Sequence, residues 1–312
     1  MVGPTENPTT GEGAIHRAPT GSADDGGARF IAPSEEHALL AVHGLAKIHG
    51  RGCADCVRLT GPEHDRNSCP ACGAIVACAE VSFELHPGEV LGVVGESGSG
   101  KSTVLQCLFM DQMPEAGSAY LTSFWRGQKN LWAADRRERR ALRSRLLGMV
   151  YQNPRDGLDL MVTAGGNIAE RLLAVEWRHV GEMRAKAADY LRRTEVPIDR
   201  MDHLPAFFSG GMQQRVQIAK ALANNPSLVL LDELTTGLDI SVQAGVLDLV
   251  RDIQRQYGLS AIIVSHDLGV IRLLADRTLV MKMGRVVEAG VTDQVLEDPQ
   301  HPYTQLLVSS AA

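Results

Sequence analysis

The chain has 312 residues, 44% of them hydrophobic and 22% charged, enough to bury one large core or two small ones. Its formal net charge of −6 argues against a protein that holds nucleic acid through a general basic surface. No apolar run reaches the roughly 20 residues of a membrane-spanning helix, and no signal-peptide core follows Met1, so the expected compartment is the cytoplasm. There, clustered cysteines read more readily as metal ligands or reactive thiols than as disulfides.

Residues 1–37 are rich in Gly, Pro, Thr and Ser without apolar periodicity, and are expected to form a disordered leader. One folded unit is expected over 38–312. It opens with "LLAVHGLAKIH", which suits a strand, followed by a cysteine-rich insertion over 53–78 and by the alternating strand "AEVSFELH". A turn at Pro87-Gly88 leads to "EVLGVVG", apolar enough to be covered on both faces, and a helix should begin near Gly100. The charged run "DRRERRALRSR" reads as a solvated helix face. A mostly helical stretch over 153–225 follows. Beyond it, "LVLLD", "SAIIVSH" and "TLVMKM" alternate with helical segments, which predicts a parallel sheet with helices on its faces.

"GESGSGKST" contains G-x-x-x-x-G-K-[ST] between a predicted strand and a predicted helix, the context that a phosphate-binding loop requires. The candidate ligands are Gly95, Glu96, Ser97, Gly98, Ser99, Gly100, Lys101, Ser102 and Thr103. Glycines let backbone N–H groups curl around phosphate oxygens, and the helix N-terminus adds partial positive charge. Lys101 is expected on the β- and γ-phosphates and Ser102 on Mg2+. "LVLLDE" delivers Asp232 and Glu233 to the end of a buried strand, where ligands sit in open α/β sheets. Asp232 suits Mg2+, and Glu233 suits a general base for water.

"FSGGMQQR" (208–215) resembles the signature of ATP-binding cassette (ABC) ATPases, and the family's other motifs occur in its order: Gln152 in "VYQNP", "TGLD" ending at Asp239, and His266 in "IIVSHD". The resemblance covers the chain from about residue 40 onward. It implies a P-loop α/β fold of the ABC type, with a parallel-sheet core, an antiparallel β subdomain and a helical subdomain. It also implies ATP held between two subunits, in a homodimer or a heterodimer with a paralogue. Ser209, Gly210 and Gly211 would then touch the γ-phosphate bound by the opposite protomer, and Asp239 would act across the interface. Gln152 would join Mg2+ and water to the helical segment, and His266 would hydrogen-bond the γ-phosphate. His49 stands where the family has an aromatic residue to stack on adenine, and Leu234 stands where it usually has proline.

"HPYT" (301–304) resembles ATPases of oligopeptide and nickel importers, which partner a membrane permease. "NPRDGLDLMVTAGGNIAERLLA" and "EVPIDRMDHLPAFFSGGMQQRVQIAKAL" are instead similar to the ATP-binding subunits of carbon–phosphorus lyase systems, which serve phosphonate breakdown and dock on a soluble lyase core complex. A nucleotide-dependent regulator that hydrolyses ATP slowly is a third reading.

Cys53-x2-Cys56, twelve residues, then Cys69-x2-Cys72 is close to zinc-ribbon spacing. Four thiolates would make a closed structural zinc site; disulfides and an iron–sulfur cluster are the alternatives. By this reading the insertion belongs to the fold, and to docking, rather than to hydrolysis. His64 reads as a solvated loop residue, Cys78 as a spare thiol, and Cys107 as a small buried hydrophobe on the helix after the phosphate loop.

Overall fold

The computed structural model describes residues 38–236 and 238–311; the leader expected over 1–37 lies outside them. Strand β1 (Leu40–His49) leads into the cysteine insertion, from which the chain returns as β2 (Ile75–Leu85), antiparallel to β1. After β3 (Val90–Val94), helix α1 (Lys101–Leu108) and β4 (Ala116–Leu121) follow. The strand order β2-β1-β4 makes a small antiparallel sheet.

Helix α2 (Arg136–Ala141) opens on a reciprocal cap between Asp135 and Glu138, which satisfies two otherwise unpaired N–H groups. It continues into a wide turn over Leu142–Leu146. The charged run is therefore not solvated along its whole length: Leu142 and Ser144 in that turn are buried, while Arg145 stays exposed. Strand β5 (Leu147–Val150) comes next, then α3 (Pro154–Gly157), α4 (Ala164–Leu173), α5 (Val180–Arg193) and α6 (Gly210–Leu222). The chain then alternates through β6 (Leu228–Asp232), α7 (Ile240–Tyr257), β7 (Ala261–Ser265), α8 (Leu268–Leu274) and β8 (Arg277–Lys282). It closes with β9 (Arg285–Val291), α9 (Thr292–Glu297) and α10 (Pro302–Ala311).

The second sheet runs β5-β6-β7-β3-β8-β9, parallel except for β9. Its central strands are apolar throughout because each face has its own core. Leu228 and Leu230 of β6, with Ile262 and Val264 of β7, join Leu91, Leu105 and Val42 on the side of the antiparallel sheet. Val229, Leu231, Ala261 and Ile263 point the other way, toward Ile168, Val216 and Val246 of the helices. This is the period-2 alternation of a strand covered twice. A third, small cluster holds Cys56, Cys69, Ala74 and Val76 of the insertion and its exit. Among the described residues no helix is long and apolar enough to cross a membrane.

Candidate nucleotide site

The phosphate loop links β3 to α1, at the carboxyl edge of the parallel strands. Gly95 and Gly100 are dictated by their neighbours: a Cβ would stand 2.1 Å from the Met281 carbonyl oxygen at the first and 2.0 Å from that of Ala77 at the second. Gly100 also lies at φ 100°, a region that favours glycine. Gly98, at φ 82°, would meet nothing within 4 Å and sits with Glu96 and Ser97 at the exposed rim. No side chain caps α1 at Gly100, so its first-turn N–H groups stay available to an anion.

Lys101 is 4% exposed, and its Nζ donates to the Gly95 and Glu96 carbonyls at 2.7 and 2.8 Å. Burial lowers its pKa, while Glu233 and Asp232 push the other way. Ser102 Oγ donates to Asp232 Oδ1 at 2.8 Å. Burial raises the Asp232 pKa, and the Ser102 hydrogen bond opposes that shift. Both buried charges thus carry a desolvation penalty that polyanion and cation would relieve.

Glu233 follows at the end of β6 with φ 42°, a left-handed conformation costly for a residue with a Cβ. Its backbone N–H donates to the Val264 carbonyl at 3.0 Å. Three groups hold its carboxylate: Gln152 Nε2 and Thr236 Oγ1 donate to Oε2 at 2.9 and 2.8 Å, and His266 Nδ1 lies 3.4 Å from Oε1. Gln152 therefore meets Glu233 rather than the Ser102–Asp232 pair. Leu234 is 3% exposed and belongs to the helix-side core, so it serves packing where a proline would only set the turn.

The signature residues are built separately. Ser209 caps α6, accepting the Met212 N–H at 3.3 Å, and Asp239 caps α7, accepting the Val242 N–H at 3.0 Å. That N–H, then Ser241, holds the Asp239 carboxyl below its ordinary value. A Cβ on Gly211 would stand 2.1 Å from Val242 Cγ1, so these two helix starts are fixed against each other, while Gly210 stays exposed. Among the described residues no hydrogen bond joins either cap to the phosphate loop. His49 ends β1 opposite Ile75 and is exposed.

Tyr303 was missed as a site residue: its hydroxyl accepts the Glu96 N–H of the phosphate loop at 3.0 Å. "HPYT" marked it as a family feature, but nothing local signals a partner two hundred residues away. Thr236 was missed too, although it lies within "TGLD".

The four insertion cysteines converge, with sulfur separations of 3.6 Å (Cys53–Cys56), 3.7 Å (Cys53–Cys69) and 3.4 Å (Cys56–Cys72). All four lie within 4.8 Å of one another, and none is in a disulfide. Cys78 and Cys107 stand apart; burial pushes their thiols up to about 11 and about 12. Elsewhere, α2, the turn after it, α4 and α6 border a cavity of about 750 Å³ lined by Arg136, Arg139, Arg140, Arg143, Arg171 and Lys220, with the acidic Asp156 and Glu170 among them. Lys220 is paired with Glu170 and Arg143 with Asp111, which among the described residues leaves Arg136, Arg139 and Arg140 as its unpaired basic rim.

A phosphate loop, a strand-end Asp-Glu pair and a glycine-opened signature helix, on a parallel sheet with an antiparallel subdomain, define an ABC-type ATPase. The family described as ABC transporter matches residues 78–236, and the chain belongs to it. It is 54% identical over 232 residues to the putative phosphonates utilization ATP-binding protein PhnK of Escherichia coli K12, across 74% of this chain and 90% of that protein. Identity to the oligopeptide transport ATP-binding protein OppD of Bacillus subtilis is 39%, across 76% of this chain and 67% of that one. A dimeric, post-hydrolysis ATP-binding cassette bound to ADP and Pi superposes with a TM-score of 0.67 at 27% identity, across 81% of this chain and 99% of that one. ABC ATPases work as dimers, and ATP with Mg2+ is the pair expected here.

Proposed function

We propose that the chain is the ATP-hydrolysing subunit that docks on the carbon–phosphorus lyase core complex in the cytoplasm and supports phosphonate catabolism. The observation that carries this reading is the 54% identity with a phosphonates utilization protein over 90% of that protein's length. In hydrolysis, Lys101 and the first N–H groups of α1 bind the β- and γ-phosphates. Glu233 accepts a proton from the attacking water as the bond between the γ-phosphorus and its bridging oxygen breaks, giving ADP and phosphate. Gln152, Thr236 and His266 orient the Glu233 carboxylate. The hard oxygen pair of Ser102 and Asp232 suits Mg2+, which when bound neutralises phosphate charge. Ser209, Gly210, Gly211 and Asp239 of one protomer complete the site of the other, and His49 is assigned to the adenine.

The insertion fits zinc. Sulfur separations of 3.4–3.7 Å match the edges, about 3.8 Å, of a tetrahedron with Zn–S bonds of about 2.3 Å, and exceed by far the roughly 2.05 Å of a disulfide. Metal analysis should find about one zinc per chain; iron, or no metal, would sink this assignment.

The arginine-lined cavity is the proposed docking surface, and it calls for a partner rich in carboxylates. Such interfaces bury about 1,200–2,000 Å², enough for a complex stable without detergent. In cells grown on a phosphonate as sole phosphorus source, the tagged chain should copurify with lyase subunits. The double reversal R136E/R140E should abolish this and spare basal ATPase activity. The second reading, an importer ATPase, draws on the 39% identity with OppD. It would replace the first if gene deletion stopped uptake of a peptide or metal and left growth on phosphonates intact.

A further inference from the structure

The cysteine insertion is built into the wall of the phosphate loop. Its last turn feeds directly into β2: the Cys69 N–H donates to the Ala74 carbonyl and the Val76 N–H to the Asn67 carbonyl, both at 2.8 Å. The next carbonyl, that of Ala77, is pressed from two sides. Gly100 of the phosphate loop lies so near that a Cβ would stand 2.0 Å away, and Gly284, in the β8–β9 turn, would bring one to 3.1 Å. The turn bridges what it touches. The Gly284 N–H donates to the Ser99 carbonyl of the phosphate loop at 3.1 Å, and its carbonyl accepts the Ala79 N–H of β2 at 2.9 Å.

Side chains from the same turn reach into the insertion. Arg285 Nη2 donates to the Val57 carbonyl at 2.9 Å, and its Nε lies 3.2 Å from Glu80. Glu80 takes a left-handed φ of 58°, a conformation that persists only where its surroundings fix it. Lys282 Nζ lies 3.5 Å from Asp65 of the insertion and 5.2 Å above the Tyr303 ring, and the Tyr303 hydroxyl accepts the Glu96 N–H. Two chains of contact, one through Arg285 and one through Lys282 and Tyr303, thus run from the insertion to the phosphate loop.

We infer that Arg285 and Tyr303 are positioning residues that tie the phosphate loop to the cysteine insertion, so that metal on the thiolates and nucleotide on the loop strengthen each other's binding. This rests on the reading of the four cysteines as a metal site. Without metal the insertion has almost no core of its own. The Val57 carbonyl and the Asp65 carboxylate then lose their fixed places, and the 282–285 turn loses the partners that hold it against Ser99 and Ala77. A nucleotide must then order a looser loop, and its affinity falls. Because linkage is reciprocal, nucleotide must raise the affinity for metal by the same factor.

The test uses the full chain and ADP, which binds without turnover. Zinc content is measured first. The Kd for ADP is then titrated with zinc bound and after removal by a zinc-selective chelator. The Kd for zinc is measured by chelator competition with and without saturating ADP. Both comparisons should give one factor, about 5-fold or more. R285A should keep zinc and ADP binding but shrink that factor toward one, and R285K, which keeps the charge without the two-pronged reach, should restore only part. If R285A does not fold, Y303F serves: it keeps the ring under Lys282, removes the acceptor for the Glu96 N–H, and should likewise shrink the factor. A protein that never holds zinc overturns the metal reading and this inference with it. Bound zinc with an unchanged Kd for ADP overturns the inference alone, as does a factor that both variants leave intact.

Discussion

Gly95 and Gly100 of the phosphate loop lie against the carbonyls of Met281 and Ala77, so that loop takes its shape from the walls around it. The cysteine insertion has few walls. Its own cluster is a handful of small residues, and its Gly73, at φ 76°, has nothing within 4 Å of a would-be Cβ. One region is shaped from outside by a finished core; the other, on the reading proposed above, would be shaped from inside by the metal on its four thiols. Glycine consequently means different things in the two: close approach in the first, a local turn in the second.

The sharpest way to break this contrast is G100A. A methyl group 2.0 Å from a backbone oxygen forces the loop out of register, and ATP binding should fall by about 100-fold or more, a loss of roughly 2.7 kcal/mol. Equilibrium titration checks it, and near-normal affinity would mean that the walls yield. E233Q separates shape from chemistry within the same site. It preserves the side-chain outline and removes the proton acceptor, so turnover should drop about 10²-fold or more while ATP binding and the ATP-bound dimer persist. Single-turnover rates and gel filtration would read both.

D232N should also stop Mg2+-dependent hydrolysis, but its signature is stability. Burial raises the Asp232 pKa, so the folded chain holds this proton to higher pH than the unfolded one does. The ionised carboxylate therefore weighs against the fold at neutral pH, and the stability present below about pH 3.8 is lost as pH rises through the folded pKa. The asparagine should melt at a higher temperature than the parent at pH 7 without nucleotide, an advantage that vanishes on acidification. A melting curve that moves the other way would refute the assignment. The smallest effect belongs to G73A. With space around it and only a positive φ to oppose, the change should cost about 1 kcal/mol of stability in the insertion and leave turnover alone.

Much of the site was legible because its chemistry is contiguous. Nine residues spell the phosphate loop, and an apolar run delivering Asp232 and Glu233 locates the strand end. The central strands were legible as well, since cover on both faces leaves no polar positions. What was hidden depends on distance or on mixed surroundings. "AGSAYL" (β4) is too rich in small residues to announce a strand, and β9 is half-exposed along its length. The buried turn after α2 was masked by its arginines, whose charged ends reach a cavity. Arg285 and Tyr303 carry no local mark, since each acts on residues about two hundred positions earlier.

The strand order has one more consequence, for the birth of the molecule. β3, which carries the phosphate loop, sits between β7 and β8, yet both are made long after it. At about 5–20 residues per second, β3 waits on the order of ten seconds or more outside the ribosome before its neighbours at residues 261–282 emerge. Through that interval the apolar run Val90–Val94 has no sheet to join, and non-local parallel pairing is slow to form even afterwards. The four insertion cysteines lie within only twenty residues, Cys53 to Cys72, and the β2 residues Val76 and Ala79 of their cluster are also made before β3. A nascent chain therefore carries the whole cysteine cluster, before Lys282 and Arg285 exist to brace it, immediately upstream of the segment most exposed to aggregation.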